Sequence, residues 1–166
     1  MTRPKIYIKR TAADYLMEAI GVLAIIWMFI NIIMHYGSLP ETIPSHFNIR
    51  GNVDNYSNKI SIWFLPIVSM VLFISLFFMT KFPHNFNYPT KITESNAEGQ
   101  YKKASRLIRY INAIIAILFA YISYQTVQIA LGNQESLGSG FLIFLLIGLF
   151  SGITLYYIFS KRNKVK

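Results

Sequence analysis

The sequence predicts an all-α integral membrane protein, a four-helix bundle that forms a single domain over residues 1–166. More than half of the residues are apolar (54%) and only 14% are charged. The apolar residues fall into four long blocks, which is typical of membrane spans. Basic residues flank these blocks instead of interrupting them, as they do where they orient a chain across a membrane.

The four apolar blocks each have the length of a membrane-spanning helix. They cover residues 16–36, 60–80, 111–131 and 140–160. A helix of that length covers about 31 Å, close to the roughly 30 Å of hydrocarbon in a bilayer. Thr11 and Asp14 fit a capping-box variant, so the first helix is expected to begin near Ala12. Pro66, near the start of the second block, predicts a bend or local unwinding there.

The second connection, residues 81–106, begins with an aromatic and polar run that suits a membrane interface. Ser95 and Glu98 form a capping box, with Thr93 as an alternative cap, so an interfacial helix should begin there and lead into the third span. A basic stripe follows at the foot of that span, formed by Lys102, Lys103, Arg106 and Arg109. We expect this stripe to contact anionic lipid headgroups or, as an alternative, a cytoplasmic partner protein.

The distribution of basic residues predicts the orientation of the chain. Fourteen of the 16 Lys and Arg residues belong to the two terminal tails and to the second connection counted together with Arg109, which lies just after it. Only Arg50 and Lys59 lie in the first loop, residues 37–59. Both termini are therefore expected to face the cytoplasm and the first loop to face outward, which favours a multipass protein of a bacterial cytoplasmic membrane. The net charge of +9 then reflects orientation and not direct binding to nucleic acid.

The outer loop is rich in residues that form turns. Proline fixes φ, glycine allows positive φ, and Asn or Asp side chains bond to nearby backbone groups. The loop is thus expected to be compact and ordered, and to carry the function. In the fourth block, Gly148 and Gly152 form a GxxxG pattern that permits close helix approach, either within one chain or in a dimer.

The sequence contains no cysteine, no nucleotide-binding or hydrolase motif, and no ionisable residue deep in a predicted span. These absences disfavour proton-coupled transport and enzymatic catalysis, and they predict no cofactor. One alternative stays open, a small transport or channel component. It would place Asn31, Gln125 and Gln128 around one internal cavity.

A second alternative is a metal-dependent envelope enzyme. It would bind Zn²⁺ through His46, Asp54 and a third ligand such as His35 or Glu41, because imidazole and carboxylate suit that ion. The spacing of these residues does not match a known metal motif, so no metal ligand is predicted.

The outer loop reads LPETIPSHFNIRGNVDNYSNK from Leu39 to Lys59. This spacing of Pro, His, Asn, Gly, Asp and Lys resembles the bacterial membrane domain of unknown function found in SdpI-type toxin immunity proteins. The stretch NYPTKITESNAEGQY, residues 87–101, is similar to the cytoplasmic segment of stand-alone relatives. The chain resembles the short, four-span form without the C-terminal SdpI extension.

The resemblance implies a non-enzymatic role in immunity or signalling. The outer loop would recognise a secreted peptide toxin or envelope ligand, and a cytoplasmic regulator would be a further partner. By motif match, the ligand-binding or loop-organising positions would be Pro44, His46, Asn48, Gly51, Asp54 and Lys59.

Overall fold

The computed structural model is mostly helical and describes residues 3–138 together with 140, 141, 143, 146–148, 150–152 and 154. Within this part of the chain, three segments are helical, long and apolar enough to cross a membrane. They are Ala12–Ser38, Lys59–Met79 and Ala97–Ala130. Three of the four predicted spans are therefore present as helices whose length and composition suit a membrane protein.

The first helix, α1, covers Ala12–His35 and continues as a 3₁₀ turn over Tyr36–Ser38. It begins at the predicted residue, and the Thr11 backbone N–H donates to the Asp14 carboxylate at 2.7 Å. That bond satisfies a backbone donor that the helix itself leaves without a partner.

The second span begins with a 3₁₀ helix over Lys59–Trp63 and continues as α2, Phe64–Met79. Pro66 lies in the first turn of α2, where a backbone N–H would have no partner within the helix, so the proline removes no helical bond there. A further 3₁₀ turn, Pro83–Asn85, follows α2.

The third helix, α3, runs without a break over Ala97–Ala130, so the expected interfacial helix and third span are one element. The capping prediction at Ser95 is wrong, because the residue before the helix is Asn96. The Asn96 side-chain carbonyl accepts from the Thr93 backbone N–H at 2.9 Å. The polar side chain therefore stabilises the turn before the helix.

The outer loop contains a β-hairpin, which makes the all-α class incomplete. Strand β1, Thr42–Phe47, pairs antiparallel with β2, Val53–Asn58. The register is irregular on both sides of His46, which faces Asn55. The hairpin lies at the end of the bundle where α1 ends, the second span begins and α3 ends.

Two apolar clusters hold the helices and the hairpin together. One cluster joins α1, α2 and α3 midway along the bundle and contains Ile25, Met28, Phe73, Ala116 and Ala120. The other joins the hairpin to the outer ends of the helices and contains Ile32, Leu39, Ile43, Ile62 and Val127. Burial of these side chains supplies the main apolar contribution to packing.

The described residues of the GxxxG pattern pack against α3 of the same chain. A Cβ atom at Gly148 would lie 3.1 Å from Ile114, and one at Gly152 would lie 2.6 Å from the Tyr110 ring. The Tyr110 hydroxyl also bonds to the Ser151 hydroxyl at 2.8 Å. The predicted fourth span, residues 140–160, lies largely outside the described residues, as does the basic tail after it.

Candidate functional site

The tip of the hairpin is a turn organised by Asn48 and Gly51, two of the positions that the sequence singles out. The Asn48 side-chain carbonyl accepts from the backbone N–H groups of Arg50 at 2.9 Å and Asn52 at 3.2 Å. Gly51 has a φ of +79°, a conformation that is unfavourable for residues with a side chain. Its N–H donates to the Asn48 backbone carbonyl at 2.8 Å.

The tip is also attached to the connection that follows α3. The Leu137 N–H donates to the Gly51 carbonyl at 2.9 Å, and Asn52 forms a bridge with Ser136. Leu137 is buried, and its carbonyl accepts from the Tyr121 hydroxyl of α3 at 2.6 Å. The hairpin is therefore fixed to the bundle at its far end.

The base of the hairpin is fixed by burial and by a pair of charged residues. Ile43 is fully buried beside α3, and Pro44 next to it is buried as well. The Lys59 Nζ lies 2.7 Å from the Glu41 carboxylate and 5.6 Å from the centre of the Tyr36 ring. The Lys59 backbone N–H donates to the Glu41 carbonyl at 2.8 Å. Pro44 and Lys59 are thus loop-organising residues by position.

The exposed side of the hairpin carries a hydrogen-bonding pair, His46 and Asp54. His46 Nδ1 lies 2.6 Å from Asp54 Oδ1, and the two side chains are 68% and 40% exposed. Ile49 at the tip and Tyr56 on β2 are also exposed. Such a surface can donate or accept hydrogen bonds and offers apolar contact area, which together suit the recognition of a peptide or an amphipathic ligand.

The geometry does not favour the metal-dependent alternative. In the described part of the chain, no group of three His, Cys, Asp or Glu side chains is placed to hold a metal ion. His35 instead bonds through Nδ1 to the Asn31 backbone carbonyl at 2.8 Å. His46 and Asp54 therefore form a pair in the described residues and not a metal centre.

The residues of the transport alternative make separate contacts. The Asn31 side chain is 97% buried, and its carbonyl has no hydrogen-bond partner. Gln125 donates to the Tyr121 hydroxyl at 3.4 Å, whereas Gln128 accepts from Asn133 at 2.9 Å. These contacts do not test whether the three amides face one cavity, so transport stays an untested prediction.

The basic stripe divides into two parts. Arg109 is 8% exposed, and its Nε donates to Glu18 of α1 at 2.8 Å. Arg106 donates through Nε to the buried Asp14 at 3.3 Å. These two arginines join α3 to α1, although the Arg106 side chain is still 43% exposed. Contact of the basic stripe with lipid or a partner protein stays a prediction.

This ionic network was not predicted from the sequence. Two spacings in the sequence could have indicated it. Asp14 and Glu18 are four residues apart and lie on one face of α1, and the two arginines are three residues apart and lie on one face of α3. Arg10 adds a bond to Glu18 at 3.2 Å. Opposite charges at matched spacing on two helices indicate an interhelical pair when both lie at the same end of a bundle.

One comparison with known proteins gave a match, and the matched segment includes the hairpin. Residues 22–70 match a protein family described as a domain of unknown function, DUF1648. The matched segment includes most of α1, the hairpin and the first turns of α2, which is less than a third of the chain. The curated proteins gave no match, and neither did the solved structures. The matched segment contains all six loop positions singled out above.

Proposed function

We propose that the protein is a non-enzymatic multipass protein of a bacterial cell membrane whose hairpin recognises a secreted peptide toxin or another envelope ligand. The result of binding is immunity to the toxin or a signal to a cytoplasmic regulator. The observation that carries this proposal is that the hairpin is fixed at both ends and yet exposes His46 and Asp54. A surface that is ordered before binding loses less conformational entropy when a ligand arrives.

His46 and Asp54 act as the polar contacts in this proposal. The aspartate orients the imidazole through the 2.6 Å contact, so the other ring nitrogen is directed to a ligand. Tyr56 supplies a rigid aromatic contact beside the pair, of the kind that contributes strongly to binding interfaces. Gly51, Asn48, Pro44 and Lys59 act by shaping the hairpin.

The test is survival of cells that express wild-type protein or the His46→Ala and Asp54→Ala variants during exposure to a panel of secreted peptide toxins. Ser45→Ala is the matched control, because Ser45 is exposed on the same strand. Immunoblots of membranes establish that all four proteins are equally abundant. We expect wild type and Ser45→Ala to protect, and the other two variants to lose at least tenfold in protection.

Two results would count against the proposal. If the His46 and Asp54 variants protected as well as wild type, the exposed pair would not be the recognition surface. If no toxin in the panel distinguished wild-type cells from cells without the protein, immunity would be rejected for those toxins.

A further inference from the structure

A second site lies at the opposite end of the bundle, which we call the basic end because the N-terminal residues and the second connection meet there. A groove of about 450 Å³ opens between the end of α2, the segment after it and the first turns of α3. Its size falls within the range of small-molecule sites. One wall is apolar and consists of Met79, Phe86, Ala104, Leu107 and Ile108.

The rim of the groove is polar. Asn85 and Asn87 line it, and both residues are exposed. Their side-chain amides have no hydrogen-bond partner within the described part of the chain, although the Asn85 backbone N–H donates to the Phe82 carbonyl at 3.1 Å. The backbone turn is thus fixed while two amide groups remain available as donors.

Cationic side chains surround this rim. Arg3 donates to the backbone carbonyl of Phe86, so its guanidinium lies directly beside the groove. Lys103 is next to Ala104 and one helical turn before Leu107, which places it on the same face of α3. Lys81 is exposed two residues after Met79, with its Nζ 4.6 Å from the Phe78 ring.

The acidic residues of α1 at this end of the bundle are already paired. The carboxylates of Asp14 and Glu18 are bound by Arg106 and Arg109 in the network described above. Glu98 precedes Ala104 on α3 by about 9 Å of helix, in the direction away from the span. Arg3 and Lys81 therefore lie beside a wall that is continuous with the apolar helices.

We propose that this groove binds an anionic phospholipid from the adjacent leaflet. An acyl chain lies along the wall formed by Met79, Leu107 and Ile108, and the phosphate accepts hydrogen bonds from Asn85 and Asn87. Arg3 and Lys81 favour an anionic headgroup over a zwitterionic one. A molecule that joins an apolar chain to an anion fits both halves of the site. This proposal does not rest on the function of the hairpin.

The test uses tryptophan fluorescence and brominated lipids, which quench a tryptophan that they contact. Both native tryptophans are replaced, Trp27→Phe and Trp63→Phe, and Phe86→Trp then places one reporter in the groove. The protein is reconstituted in phosphatidylcholine vesicles that contain the same small fraction of brominated phosphatidylglycerol or brominated phosphatidylcholine. We expect the brominated phosphatidylglycerol to quench Phe86→Trp at least threefold more strongly.

Val71→Trp in the same background is the control. Val71 is exposed on α2 and does not line the groove, and it lies ten residues before Lys81, about 15 Å along the helix. It should be quenched equally by the two brominated lipids. If the two lipids quench Phe86→Trp equally as well, the proposal is wrong.

A second variant tests the headgroup assignment. Asn85→Ala with Asn87→Ala should reduce the ratio of quenching by brominated phosphatidylglycerol to quenching by brominated phosphatidylcholine toward one at Phe86→Trp. It should leave this ratio unchanged at Val71→Trp. An unchanged preference would show that these amides do not bind the phosphate. Native mass spectrometry of the wild-type protein, taken from a mixture of the two lipids, makes the same comparison without a tryptophan substitution. Equal retention of the two lipids there would also overturn the proposal.

Discussion

At one end of the bundle, the hairpin is attached by buried Ile43 and by the backbone hydrogen bond between Leu137 and Gly51, while its polar pair, His46 and Asp54, remains exposed. At the basic end the arrangement is reversed, because the charges are inside. Asp14 is 2% exposed and Arg109 is 8% exposed, and they lie between α1 and α3.

This contrast separates residues that hold the fold from residues that are available for binding. A buried charge that loses its partner is left without compensation, so each member of the inner network depends on the others. An exposed pair contributes little to stability, because water solvates either partner after the other is removed. His46 and Asp54 therefore contribute little to the stability of the hairpin, and in the function proposed above they are available to contact a ligand.

The largest effect is expected for Arg109→Leu, which leaves Glu18 without its closest cation. The free energy of unfolding should fall by about 3–5 kcal/mol, the usual effect of breaking a buried pair. Unfolding in detergent micelles, followed by tryptophan fluorescence, measures this change.

Lys102→Leu is the control for that prediction, since Lys102 lies on the same helix outside the network. It should change the free energy of unfolding by at most about 0.5 kcal/mol. The double variant Glu18→Leu with Arg109→Leu should recover most of the loss, because it removes both charges. If Arg109→Leu were no more harmful than Lys102→Leu, the two ends would not differ as described.

An intermediate effect is expected for Gly51→Ala at the tip of the hairpin. The positive φ costs a residue with a side chain about 1–2 kcal/mol, and the new Cβ would lie 3.2 Å from the Leu137 Cβ. We expect the Leu137 amide, which donates to the Gly51 carbonyl, to exchange with solvent at least tenfold faster. Hydrogen exchange measured by mass spectrometry gives this rate.

Gly132→Ala separates the two causes of that effect. Gly132 has a φ of +78°, almost the same as Gly51, but nothing lies within 4 Å of the position of its Cβ. It should therefore show the backbone cost alone and leave the exchange of Leu137 unchanged. Faster exchange of Leu137 in Gly132→Ala would mean that the tip is not attached locally through Gly51.

The sequence was sufficient for the parts of the fold that depend on local chemistry. Long apolar blocks identify three spans, Thr11 and Asp14 identify the start of α1, and the density of Asn, Pro and Gly identifies an ordered loop. Gly51 was correctly expected at a turn, because positive φ is a property of single residues. These features need no knowledge of distant parts of the chain.

The strands and the ionic network could not be predicted in the same way, because they depend on contacts between distant residues. Residues 53–58 contain three Asn and Asp residues, which are rare in strands, and become β2 because β1 and the connection after α3 lie beside them. The Arg109 partner lies 91 residues away on α1. A stripe of basic residues at a helix end is usually exposed, so an exposed side chain was a reasonable prediction for Lys102. For Arg109 that prediction was wrong, because its side chain is buried against α1.

The smallest effect on stability is expected for His46 and Asp54, although their replacement should have the largest effect on protection in cells. His46→Ala and Asp54→Ala should each change the free energy of unfolding by about 0–1 kcal/mol, as for other exposed pairs. The change in the free energy of unfolding of the double variant should differ from the sum of the two single changes by at most about 1 kcal/mol. Added salt should reduce this difference further. The same unfolding experiment as for Arg109→Leu measures all three proteins. A loss as large as that of Arg109→Leu would show that the exposed pair stabilises the hairpin, and the loss of protection in cells would then follow from misfolding and not from lost contact with a ligand.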